Sequence, residues 1–307
     1  MSRQLRRAPL DRPLQAHQTA GDFLFDRFKT WGGLTLVLDR WSGDPLLDAA
    51  ESESSDTAQK ELAGLSAEAL PLQDEMFDEA PWRSPVLLRL NWGNPTHLAA
   101  LDWSLHHAHA GLLHCAWLHS SATSAQLQID LSKKLEAELH PLQRMYLRWF
   151  DPRVMPRLAQ ILEPDAFAQF LAPIEHWFQL DRDGALLQIR QPAEPATGAP
   201  ARALRLATPE SSQAVLRVAA LSRTASALTL LGQVLTHADN ERIDCQIQAA
   251  QAYGLDDDNQ VAFATLALSQ GTAFTAHPDL AQWCQLSAEH GLPFADVAAS
   301  HPNPECA

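Results

Sequence analysis

Five imidazoles crowd into one short stretch of the chain: His106, His107, His109, His114 and His119. Imidazole is a common ligand for zinc, nickel and copper. A helix over 95–110 would place His106 and His109 on one face, with Asp102 facing His106 at i,i+4, and a strand carrying His114 would follow. His106, His109 and His114 are therefore the candidate metal ligands, and a metal-dependent hydrolase built on 106–119 is the enzymatic alternative for this chain. Gly111 interrupts the run, however, and no complete ligand set falls at a familiar spacing. The reading adopted is polar surface or core-edge histidines with no bound metal and no other cofactor.

Other catalytic signatures are missing from the sequence. It contains no Walker phosphate loop, no Gly-x-Gly-x-x-Gly, no Gly-x-Ser-x-Gly, no His-Glu-x-x-His and no Cys-x-x-Cys. Asp181-Arg182-Asp183-Gly184 starts like a calcium loop, but Leu186, Leu187 and Ile189 stand where oxygen ligands are needed, so it reads as a hairpin turn. These absences weaken an enzymatic reading without excluding it. Nine tryptophans supply large contact area; most belong to a core, with two or three exposed for binding. The four cysteines, Cys115, Cys245, Cys284 and Cys306, are scattered singly and read as reduced thiols.

A second constellation is more distinctive: Tyr146-Leu147-Arg148-Trp149-Phe150-Asp151-Pro152-Arg153-Val154. From Arg144 to Phe150 apolar and polar residues alternate, as on a strand with one face in a core. Arg148 then points off the core face, Pro152 stops the ladder, and Asp151 with Arg153 can fix the turn by charged hydrogen bonds. Arg148, Trp149, Phe150, Asp151, Pro152 and Arg153 are the candidate site, structural or interfacial, with no catalytic residue among them.

The surrounding pattern sets the elements that must hold these residues. Leu34 to Leu38 follows Gly32-Gly33 and reads as the first core strand, with further strands at 85–90 and 111–118 and a crossover helix over 95–110 between them. Leu127, Leu131, Leu135 and Leu139 recur every four residues and predict a helix over 124–139, ended by Pro141. Val154, Leu158, Ile161 and Leu162 mark a helix, and Pro164 opens another that Pro173 closes. Strands flank the turn at 181–184. The proline-rich 191–203 segment is a linker, and after it Thr208-Pro209-Glu210 opens a helical stretch, with later helices ended by Gly254, Gly271 and Gly291. The expected architecture is an N-terminal extension over 1–30, an α/β lobe over 31–190 with a mixed sheet and flanking helices, the linker, and an all-helical lobe over 204–307.

Composition narrows the function. The chain has 307 residues, 46% of them hydrophobic, and 23 Lys+Arg against 37 Asp+Glu give a net charge of −14. Such a surface repels phosphate backbones and anionic lipid heads, so neither nucleic-acid binding nor membrane insertion is expected, and the location expected is the cytoplasm.

The run Leu147-Arg148-Trp149-Phe150-Asp151-Pro152-Arg153-Val154-Met155, with Leu158, Phe170, Pro173-Ile174, Trp177 and Asp183-Gly184 after it, resembles the motif of the type VI secretion effector adaptor/chaperone family, the Tap or Tec proteins. Leu36-Val37-Leu38-Asp39, Ala80-Pro81-Trp82 and Ala252-Tyr253-Gly254-Leu255 are similar to flanking parts of that family. Arg40-Trp41 and Ala172 depart from its usual small residues. The resemblance implies a non-enzymatic adaptor with two partners, a secreted effector protein, bound through its N-terminal segment, and the VgrG spike. The further expectation is that the helical lobe holds the effector while the first lobe meets the spike.

Overall fold

A computed structural model of the chain describes residues 19–40, 64–110, 115–139, 143–151, 153–181, 183–191, 204–206, 208–236 and 238–300. The chain divides into two compact units, Met1–Ser212 and Gln213–Ala307.

In the first unit, helix α1 (Ala20–Trp31) opens on a capping box: Thr19 Oγ1 accepts from the Asp22 N–H while the Asp22 carboxylate accepts from the Thr19 N–H. Gly32, at φ 71°, ends it. Strand β1 (Gly33–Leu38) follows, buried along its whole length. Next come β2 (Leu70–Pro71), β3 (Val86–Asn91), α2 (Pro95–His109) and β4 (Cys115–His119). Strands β3 and β4 each pair antiparallel with β1, so Leu36 sits between Leu88 and Trp117, and α2 is the expected crossover between two strands that run the same way on either side of β1.

The unit continues through α3 (Ser124–Ser132), β5 (Glu136–Leu139), β6 (Gln143–Tyr146), α4 (Met155–Ile161), α5 (Pro164–Leu171), β7 (His176–Leu180), β8 (Leu186–Arg190) and β9 (Leu204–Arg205). The main sheet has the order β2-β3-β1-β4-β7-β8, and every pairing in it is antiparallel. The mixed pairing expected from sequence belongs to the small sheet β6-β5-β9, where β5 is antiparallel to β6 and parallel to β9. One face of the main sheet, with Leu36, Leu88, Trp117 and Phe178, packs against Phe23, Leu24 and Phe28 of α1 and Leu101 of α2. Residues of the other parity include Trp177, whose ring meets that of Trp149 edge-on at 5.8 Å between centroids.

Three expectations change. The stretch 124–139 is not one helix: α3 stops at Ser132 and Leu139 lies on β5. Leu127, Leu131, Leu135 and Leu139 are all buried, so the four-residue repeat recorded burial across two elements. The strand expected over 144–150 stops at Tyr146, and Arg148 lies beyond it. Helix α1 lends Phe23, Leu24 and Phe28 to the core, so the first lobe takes in residues assigned to an extension over 1–30. Apart from Gln191, the segment 191–203 lies outside the described residues.

Among the described residues of the second unit, the regular elements are all helices. Helix α6 (Pro209–Leu230) starts just ahead of the division, with the Thr208 hydroxyl accepting from the Ser211 N–H. Then follow α7 (Asp239–Ala252), α8 (Asp257–Gln270), the short α9 (Thr272–Thr275), α10 (Leu280–His290) and α11 (Phe294–Ala299). Ala220, Leu221, Leu228, Ile243 and Ile247 join α6 to α7, while Phe263, Phe274, Trp283 and Phe294 form an aromatic core among the later helices. Residues 204–205, expected in this lobe, form β9 of the first unit instead.

Candidate functional site

The chain leaves β6 at Tyr146 and makes one more ladder-like bond, Leu147 N–H to the Leu135 carbonyl at 2.6 Å. It then folds on itself: the Asp151 N–H bonds the Arg148 carbonyl at 3.0 Å and the Val154 N–H bonds the Asp151 carbonyl at 2.9 Å. Trp149 and Phe150 go inward and are buried within the lobe. Burying two aromatic rings supplies apolar energy that helps hold a turn carrying three charges, which Asp39 joins from the end of β1.

Those charges form one network. Arg153 donates from Nε to Asp151 Oδ1 at 2.9 Å and from Nη2 to Asp151 Oδ2 at 2.7 Å, and its backbone N–H bonds Oδ1 at 2.9 Å. Arg148 Nη2 lies 2.5 Å from Asp39 Oδ2 and 4.0 Å from Asp151 Oδ2. The carboxylates are the buried members, with 4% of the Asp39 side chain and 3% of that of Asp151 exposed, while the guanidinium groups reach towards solvent. Burial works to raise the Asp151 pKa, but the hydrogen bonds and charge of Arg153, helped by Arg148, outweigh it and hold the carboxyl below its ordinary range. The hydrogen bond to Asp151 in turn raises the Arg153 pKa. Asp151 thus stays ionised at neutral pH and has no proton to give. The arrangement is a latch that ties the turn to Asp39, the residue after β1.

The Asp151–Arg153 contact is the one expected from sequence, and Pro152 lies outside the described residues. Asp39 was missed because 109 positions separate it from Arg148. Its place next to the first core strand was visible, but nothing local names its partner.

The histidines do not converge on one point, although the His106 and His107 rings meet edge-on at 5.6 Å between centroids. His107 Nδ1 lies 2.9 Å from the Trp103 carbonyl, within its own helix. The His109 ring lies over the β7–β8 hairpin, so close to Gly184 that a Cβ there would come within 2.6 Å of it. His119 stacks on Trp31 at 4.3 Å and its Nε2 is 3.5 Å from Glu175. Burial pulls the His119 pKa down more than Glu175 raises it. Among the described residues no three His, Cys, Asp or Glu side chains come together as a metal site, and His114 lies outside them. The hairpin is the turn its composition predicted: Asp181 Oδ1 accepts from the N–H groups of Asp183 and Ala185, and Gly184 takes φ 73°.

Two buried polar residues had no sequence signal. His97 accepts from the Asn91 N–H through Nδ1 at 2.9 Å and meets Glu68 through Nε2 at 3.3 Å. Lys134 is buried with its ammonium on the Phe170 carbonyl, near the C-terminal end of α5, and over the Phe170 ring. Burial lowers its pKa to about 7, against a smaller opposing pull from Asp130.

Fold and latch together define a scaffold class: a sheet-based lobe locked at one turn, followed by a helical unit. Residues 45–169, which contain the latch turn, β3, α2 and β4, match the family model described as "Domain of unknown function (DUF4123)". Comparison with curated proteins and with solved structures returned no match. No described helix is long and apolar enough to cross a membrane.

Proposed function

We propose that the chain is a non-enzymatic adaptor that captures a type VI secretion effector and brings it to the VgrG spike. The observation that carries this reading is the family match over 45–169, a family associated with type VI secretion effectors, falling on the segment whose Arg148–Arg153 turn resembles the adaptor motif. The chemistry of the turn fits a structural role, since its charged groups bind one another. The second unit supplies a docking surface: at the end of α6, Leu230, Leu231 and Val234 are 89%, 62% and 94% exposed, more apolar surface than a closed helical unit needs to leave in water. A partner helix burying apolar residues at i, i+3 and i+4 suits such a surface. In this reading the helical unit holds the effector's N-terminal segment, the first unit meets the spike, and loading takes place in the cytoplasm.

The test is a secretion assay in the source bacterium. Deleting the gene should abolish delivery of one effector while the apparatus still fires, and full-length protein should restore it. Changing Leu230, Leu231 and Val234 together to serine should abolish effector co-purification while the circular dichroism spectrum is kept. Normal effector delivery by the deletion strain would refute the adaptor reading.

A further inference from the structure

Beside β2, the two 3-10 turns at Glu75–Phe77 and Pro81–Arg83 enclose an open cleft of about 570 Å³. Pro71, Phe77 and Pro81 form apolar walls, and Asp74, Glu75 and Asp78 stand around them. Met76 and Trp82, next in sequence to the lining residues Glu75, Phe77 and Pro81, are large apolar side chains left in solvent, 46% and 58% exposed. The segment 70–84 carries four carboxylates, at Asp74, Glu75, Asp78 and Glu79, against the single guanidinium of Arg83. Among the described residues no lysine or arginine forms an ion pair with any of the four.

The backbone of the cleft is already set. Helix α3 reaches over: Gln128 Nε2 donates to the Pro71 carbonyl at 2.6 Å and Ser132 Oγ accepts from the Gln73 N–H at 2.8 Å. The buried Ser84 hydroxyl donates to the Leu72 carbonyl, and the Asp74 carboxylate accepts from the Met76 N–H. With those groups engaged, a ligand is recognised by side chains and not by adding a strand. What remains on offer is an apolar slot, an indole face and unpaired negative charge. An apolar side chain fills the first, and a neighbouring lysine or arginine answers the other two through cation–π contact and ion pairing.

We propose that this cleft is a docking site for a partner-protein segment in which arginine or lysine alternates with apolar residues. The inference is independent of the adaptor reading and of the apolar surface at the end of α6.

The experiment uses full-length protein and a short fluorescein-labelled peptide of Arg-Leu pairs separated by glycine, with the Glu-Leu counterpart as control. Fluorescence polarisation should show saturable binding of the first peptide only, weakening as salt is added. Trp82→Ala should weaken binding by about tenfold, and the double variant Glu75→Gln/Asp78→Asn should weaken it and flatten the salt dependence. Both sites are exposed, so circular dichroism should be unchanged. Glu210→Gln/Glu241→Gln removes the same charge from exposed positions elsewhere and should leave binding intact. The proposal is overturned if the Arg-Leu peptide fails to bind, if the Glu-Leu peptide binds equally, or if all variants bind alike. It is also overturned if sedimentation shows self-association that Trp82→Ala abolishes, which would give the cleft to a second copy of the chain.

Discussion

The latch turn and the histidine run of α2 both pack polar side chains densely into a few residues, yet they end in opposite arrangements. In the turn, Asp151 is pinned by Arg153 two positions on, and Arg148 reaches Asp39 across the lobe, so four charges converge. At the C-terminal end of α2 the His106 and His107 rings meet edge-on, but His107 turns to its own helix at Trp103 and His109 to Gly184 in the β7–β8 hairpin, so no common point is formed. A chain reversal aims neighbouring side chains at one point, whereas a helix rotates each successive one by about 100°. In this molecule the dense stretch that becomes a convergent network is the one where the backbone turns back on itself.

The comparison breaks most sharply at Asp151. Asp151→Ala leaves Arg153 without its fork partner and should cost about 3 kcal/mol, read by urea unfolding; a loss no larger than that of an exposed substitution would remove the latch. The acid limb sharpens the same point. Because the folded pKa of Asp151 is depressed, its stabilisation is complete above the unfolded aspartate value and is lost as pH falls through the folded one. Asp151→Asn should flatten that limb. At the hairpin, Gly184→Ala should cost about 1–3 kcal/mol, since φ is positive and the new Cβ meets the His109 ring. Adding His109→Ala should recover the steric part of that cost, and full additivity of the two changes would show that the ring does not pack there.

Lys134 sets a smaller effect at the alkaline side. Its pKa falls from 10.5 to about 7 on folding, so between those values the unfolded chain holds more protons and stability should rise with pH. Lys134→Met should flatten this rise while keeping the fold, because replacing a buried charge by an apolar side chain of similar size is often neutral or stabilising. The least change is expected at the exposed His106, which should shift stability by about 0.5 kcal/mol or less when replaced by alanine. Mass spectrometry of tag-free, dialysed protein should find no stoichiometric metal; its presence, abolished by changing His106 and His109 together, would reverse the comparison.

What could be read from residues alone follows the same division. The Asp151–Arg153 pair was legible because its two ends are two positions apart in the sequence, on either side of a proline. The crossover helix, the hairpin at Gly184 and the helical end of the chain were legible from caps, glycines and periodicity. The network's other half was not, since Asp39 gains its meaning only when β1 and the latch turn are brought together. Lys134 was equally silent: a lysine after Lys133 at a helix end reads as solvated, and only the approach of α5 buries it. The leucine repeat over 124–139 and the alternation over 144–150 misled for one reason, that both patterns report which residues face the core and neither reports where the backbone changes direction.

The parallel pairing of β9 with β5 has a practical consequence for dissecting the molecule. Ending a fragment at Gln191, the cut suggested by composition, would strip Leu204–Arg205 from the small sheet and leave β5 with a bare backbone row, the kind of edge along which molecules stack into aggregates. A first-unit fragment carried through Leu206, whose N–H bonds the Glu138 carbonyl at 2.9 Å, keeps that row covered and should stay monomeric where the shorter one precipitates.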